Sequence, residues 1–143
     1  MSEFVSDAVI KQLVLANKAV RQAKVAILGL TFKENCPDTR NSKVVDLIEH
    51  LAGYNIKPYV VDPQASAQDT IRQLGIELVS LDGLHDMDCV VLAVAHDEFK
   101  EMSLEDLDAV FGKFPNDEKV IIDVKSLLDK LEVEKLGYRY WRV

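Results

Sequence analysis

Apolar residues recur at Val5, Val9, Leu13, Ala16 and Val20, a spacing of three or four that predicts an amphipathic helix over residues 5–21, with Lys11, Gln12, Lys18 and Arg21 on its polar face. The period then changes. Residues 24–30 are nearly all apolar, as expected of a strand buried on both faces. A polar loop follows, and helical spacing returns at Val44, Val45, Leu47, Ile48, Leu51 and Ala52, with Gly53 placed as a C-terminal cap. A second strand is expected at 57–62, stopped by Pro63, then a helix at 65–74 and a short third strand at 77–79. After a polar connection at 82–88 come a strand buried on both faces (89–94), a helical stretch (98–111) broken into two at Ser103, and a loop at 112–116. A strand at 120–123, a helix containing Leu127, Leu128 and Leu131, and a final edge strand at 138–143 complete the chain.

Strands alternating with short helical crossovers require a mostly parallel α/β sheet, doubly wound and Rossmann-like, with helices on both faces. The expected strand order is 3-2-1-4-5-6. In that order the exits of strands one, four and five flank one crevice, so residues 31–33, 95–97 and 123–126 converge, with Lys33 and Lys125 on opposite sides. The loop after the first strand, which carries Lys33, Pro37, Asp38 and Arg40, is the candidate ligand site, because ligands of parallel sheets dock at the carboxyl ends of strands.

A chain of 143 residues suits one domain, and a domain of that size buries roughly 68–70% of the surface its unfolded chain exposes. Cys36 and Cys89 have neither disulfide nor zinc spacing, no leader and no apolar run of about 18 residues is visible, and a soluble cytoplasmic protein is expected. The net charge of −7 argues against nucleic-acid or anionic-membrane surfaces, but leaves room for a phosphate ligand at a few gathered cations. An organic diphosphate would use Lys33, Lys125 and the helix N-terminus near Ser42; the competing reading is that both lysines are solvated loop residues. The dinucleotide fingerprint G-x-G-x-x-G is absent: Gly29 is followed by Thr31, Phe32 and Lys33, and Asp62 at the end of strand two reads as a cap or turn residue. Cys36 lacks a neighbouring histidine in sequence, His96 at a strand exit is a candidate ligand contact, and His50 and His85 read as surface residues. Arg40 and Asp38 suit either a structural pair or a contact to a charged partner.

The segment GLTFKENCPDTRNSKVVDLI, the VVDP after strand two and the IIDVKSLLD near the end together resemble the C-terminal domain of the UDP-glucose/GDP-mannose dehydrogenase family, over nearly the whole chain. The wording of the loop is most similar to the UDP-N-acetylhexosamine 6-dehydrogenase branch. The resemblance implies a larger enzyme with an NAD-binding domain, a helical dimerising middle and this UDP-binding part. Such an enzyme oxidises the sugar C6 alcohol to a carboxylate with two NAD, through a thioester on a cysteine outside this domain. It also implies roles: Phe32, Lys33 and Lys125 for substrate, Arg40 near the cofactor, and no catalytic nucleophile or metal ligand here. Residues 1–22 are then expected to lead from a preceding middle domain, with the apolar stripe exposed for it, and residues 23–143 to form the UDP-sugar-binding domain. Expected partners are the UDP-sugar, the remaining domains and, for the full enzyme, a second copy, with no nucleic acid or membrane. The alternative is a non-catalytic nucleotide-binding or interaction module of the same fold.

Overall fold

The computed structural model describes residues 2–143. The elements are α1 (Ser2–Leu15), β1 (Val25–Leu28), α2 (Lys43–Ala52), β2 (Tyr59–Val61), α3 (Ala67–Leu74), β3 (Cys89–Leu92), α4 (Asp97–Lys100), α5 (Leu104–Asp108), β4 (Val120–Asp123), α6 (Lys130–Lys135) and β5 (Arg139–Arg142). All five strands are parallel, in the order β2-β1-β3-β4-β5. The strand expected at 77–79 is reduced to one parallel bridge, Val60 with Leu78, on the outer side of β2. Removing it from the expected order and renumbering leaves the observed one. It does not extend because the Ser80 hydroxyl accepts the Asp82 N–H and turns the chain away.

Alternate residues of each strand serve opposite faces, as the pleat dictates. Val25, Ile27, Val91, Val120 and Ile122 pack with α1 and α2; Ala26, Leu28, Val90, Leu92 and Ile121 pack with Phe99, Leu107 and Val133 of α4, α5 and α6. Burial on both faces is why β1, β3 and β4 are apolar without alternation.

The α1 stripe corrects one expectation. Val5, Val9, Leu13 and Ala16 are not exposed for another domain; they are buried in the same core as β1 and β4. The helix also ends earlier than 21. Asn17 turns left-handed at φ 63, its N–H reaching Val14 O and the Lys18 N–H reaching Leu13 O, which satisfies the last carbonyls. The end of α2 works the same way. Gly53 stays right-handed (φ −61), and the left-handed residue is Asn55 (φ 66), with the Ile56 N–H bonded to Leu51 O.

Two starts also differ. β2 begins at Tyr59, after Pro58, which has no N–H for the ladder. The last helix begins at Lys130, not around Leu127, because the Leu127 and Leu128 N–H groups are bonded to the Asp123 carboxylate and Ser126 is left-handed (φ 54). Its core residue is Val133, while Leu131 is 78% exposed. The break at Ser103 is as expected: its hydroxyl accepts the Asp106 N–H and Asp106 returns the bond, a capping box that starts α5.

Candidate functional site

The loop of residues 29–42 leaves β1 at Gly29, whose φ of 108 suits glycine alone and whose missing Cβ would stand 2.5 Å from Val94 Cβ. That close approach lets the exits of β1 and β3 lie side by side. Leu30 and Thr31 are buried, and their N–H groups donate to Asp62 Oδ2 at 2.6 and 3.0 Å. Asp62 Oδ1 accepts the Gln64 and Ala65 N–H groups, so one carboxylate ties the exits of β1 and β2. Burial pushes the Asp62 carboxyl up, but the N–H groups of Leu30, Thr31 and Gln64 and the His96 ring outweigh it, and the pKa lies below its ordinary value. At the far end of the loop the Ser42 hydroxyl donates to Leu30 O at 2.5 Å and accepts the Val44 N–H, fastening the loop and capping α2 together.

The opposite wall is built by the exit of β4. Asp123 is fully buried and accepts the Leu127 N–H (2.9 Å), the Leu128 N–H (3.0 Å) and the Tyr140 hydroxyl (2.6 Å). Burial, and then the neighbouring Asp123, push the Tyr140 phenol up, which keeps it a donor. This arrangement closes the tight turn that carries Lys125.

Between the two walls lies a cavity of about 280 Å³. Its apolar surface comes from Val5 of α1, Val44 and Leu47 of α2, Ala93, Val94 and Val124, and its rim carries Phe32, Lys33, Lys43 and Lys125. Phe32 is 55% exposed, a ring held over the opening by backbone rather than packed into the core. No carboxylate lines the cavity, and among the described residues none of the three lysines makes an ion pair. Three cations over an apolar slot suit a ligand with a flat, weakly polar end and a multiply charged anionic end.

The structure therefore brings Phe32, Lys33 and Lys125 together and leaves Arg40 apart. Arg40 borders a different depression, with Pro37, Ser66 and Gln73, and its guanidinium forks onto Asp38 at 3.0 Å in full solvent, holding that carboxyl below its usual range. Sequence reasoning missed Lys43. It is the first residue of α2, and its only signal was its place next to the N-cap Ser42.

His96 was a candidate ligand contact, and it is fully buried instead. Both its nitrogens are engaged, Nδ1 with the Asn35 N–H and Nε2 with Thr31 Oγ1 and Asp62 Oδ2, so neither is free to activate Cys36 on the neighbouring loop. Burial pushes the Cys89 thiol up, an inert core position. Among the described residues no group of three or more His, Cys, Asp or Glu side chains is placed to hold a metal. The loop after β1 also differs from a dinucleotide-binding turn. A dinucleotide needs a short glycine turn running into the helix, whereas here a long loop with Thr31, Phe32 and Lys33 intervenes, and the α2 N-terminus is occupied by its own Ser42 cap.

A family model described as "UDP-glucose/GDP-mannose dehydrogenase family, UDP binding domain" matches residues 26–130. The chain is 42% identical over 130 residues to a UDP-N-acetyl-D-glucosamine 6-dehydrogenase of Pseudomonas aeruginosa, covering 91% of this chain and 30% of that protein. It is 38% identical over 128 residues to the enzyme of the same name from Salmonella typhi, covering 90% and 29%. In fold it is similar to an NDP-N-acetyl-D-galactosaminuronic acid dehydrogenase from Methanosarcina mazei, with a TM-score of 0.84 at 19% identity over 100% of this chain and 29% of the other. The chain thus spans less than a third of the length of these relatives.

Proposed function

Because the chain belongs to the UDP-glucose/GDP-mannose dehydrogenase family, as its UDP-binding domain, we propose that the cavity between the β1 and β4 exits is the half-site for the UDP part of a UDP-N-acetylhexosamine. The observation that carries this reading is the trio Lys33, Lys43 and Lys125 over an apolar slot free of carboxylates. The diphosphate lies among the ammonium groups, and the uridine uses the apolar wall and the Phe32 ring. The whole protein is a cytoplasmic UDP-sugar 6-dehydrogenase that works as a homodimer and oxidises a C6 alcohol to a carboxylate. NAD, which accepts the hydride, and the cysteine nucleophile belong to parts outside these residues. Lys33, on the rim of the cavity, reaches toward the reacting sugar, where a cation stabilises developing negative charge on oxygen. Arg40, on the other side of the loop, faces the cofactor-bearing domain. Among the described residues no helix is long and apolar enough to cross a membrane.

The deciding experiment is an amide NMR titration of the 143-residue chain with UDP, UMP and uridine. Shifts confined to the neighbourhoods of Phe32, Lys43 and Lys125, with UDP binding most tightly, are expected. Shifts elsewhere, or none at millimolar UDP, would overturn the assignment. In the assembled enzyme Lys33→Ala is expected to lower turnover by at least about tenfold, given what a charge placed against a developing oxyanion contributes; an unchanged turnover would remove Lys33 from the chemistry.

A further inference from the structure

We propose that His96 is the positioning residue of the segment that presents Phe32 and Lys33, acting through the acceptor at Nδ1. A backbone N–H can only donate, so the Asn35 N–H at 2.9 Å makes Nδ1 an acceptor and places the ring hydrogen on Nε2. Nε2 lies 3.0 Å from both Thr31 Oγ1 and Asp62 Oδ2. Thr31 donates its own hydroxyl hydrogen to Lys33 O at 3.2 Å, which leaves its lone pairs for Nε2–H. One imidazole thus grips both ends of residues 31–35, with Phe32 and Lys33 between them. A further bond from the Asp97 N–H to Asn35 Oδ1 (3.0 Å) holds Asn35 in its left-handed conformation (φ 55).

The ring is 0% exposed and packs against Phe99, so it does not touch a ligand in the cavity. Its remaining contacts go to the loop and to Asp62, and Asp62 already has four N–H donors of its own. Without the ring, the bond that only His96 supplies is the one to Asn35. The loop would then keep its tie at Thr31 and, beyond Lys33, only the Asp97 N–H to Asn35 Oδ1 bond, loosening the lysine's backbone on the ligand side. The inference rests on the proposed reading only in taking UDP as the ligand.

Two substitutions separate the two nitrogens. His96→Asn puts a carbonyl oxygen near the position of Nδ1 and loses the donor at Nε2; His96→Gln keeps a donor near Nε2 and loses the acceptor. In the 143-residue chain, amide hydrogen exchange at Asn35 and UDP affinity should stay within about threefold of wild type for His96→Asn, and each should change by about tenfold for His96→Gln, as expected for losing one partly buried hydrogen bond. Equal behaviour of the two variants, both intact or both impaired, would overturn the proposal. A scalar coupling across the hydrogen bond between the Asn35 amide nitrogen and His96 Nδ1 is expected in the unmodified protein and requires no variant to fold; its absence would also overturn it. If the unmodified chain does not bind UDP, the ligand assignment fails while the coupling and the exchange at Asn35 still decide the role of His96.

Discussion

Lys43 and Asp62 show what single residues do at this site and what sequence pattern can see of them. Lys43 stands on the cavity rim with Lys33 and Lys125, and Lys43→Ala should weaken UDP binding by about tenfold, the size expected for one charge-assisted contact. Calorimetric titration would measure this, with uridine as the control. Equal loss for uridine and UDP would show that Lys43 does not meet the phosphates. Asp62 is a matter of linkage. Its folded pKa is depressed by the N–H groups it accepts, despite burial, so its stabilising contribution is complete above the unfolded value of 3.8 and is lost as pH falls through the lower folded value. Asp62→Asn should therefore cost about 1–3 kcal/mol in urea unfolding at neutral pH, the cost of replacing a buried charged acceptor. The gap to wild type should narrow as wild-type Asp62 takes up its proton below that range. A constant gap across pH would show that the charge is not what matters.

At the scale of elements, the contrast between two glycines separates crowding from conformation. Gly29→Ala puts a Cβ at 2.5 Å from Val94 Cβ and 2.8 Å from Val94 N, and backbone cannot give way as a flexible side chain does. It should cost about 3 kcal/mol, overpacking added to a left-handed penalty. Gly75→Ala, at φ 69 after α3 with no atom within 4 Å of the added Cβ, should cost only about 1 kcal/mol. Denaturation curves giving equal costs would show that the β1 and β3 exits are not as close as described. Helix starts were more legible than helix ends, since the cap expected at Gly53 is displaced to Asn55. Ser42 and Ser103 start helices where the sequence places them, because a hydroxyl accepting an N–H two or three residues on is a local bond. The helix expected at Leu127 was misplaced because the competitor for its N–H groups, Asp123, takes them through a turn that hydrophobic spacing does not register.

For the chain as a whole, α1 is part of the core under the sheet. Its stripe covers the face of β1 and β4, and Val5 also lines the cavity. Leu13→Ala should cost about 2–5 kcal/mol, as for other fully buried leucines, and deleting residues 1–16 should leave a chain that binds a hydrophobic dye and loses its UDP response. A well-folded, UDP-binding chain without those residues would instead make α1 an accessory to the sheet.

What the sequence determined by itself was whatever a few neighbouring residues settle: the parallel α/β class, from strands apolar on both faces alternating with amphipathic helices, the helix start near Ser42 and the break at Ser103, and the family, from the wording of residues 29–48. The convergence of Phe32, Lys33 and Lys125 followed from strand order, since the C-terminal ends of parallel strands share one edge. The tertiary structure alone decided that Lys43 joins them, that Arg40 stands on the other side of the loop, that the α1 stripe is internal, and that His96 is buried behind the loop. Each of these depends on distance between residues far apart in the chain: His96 and Asn35 are 61 positions apart and within one hydrogen bond of each other. Local periodicity reports which face a residue occupies, and only packing decides what stands opposite it.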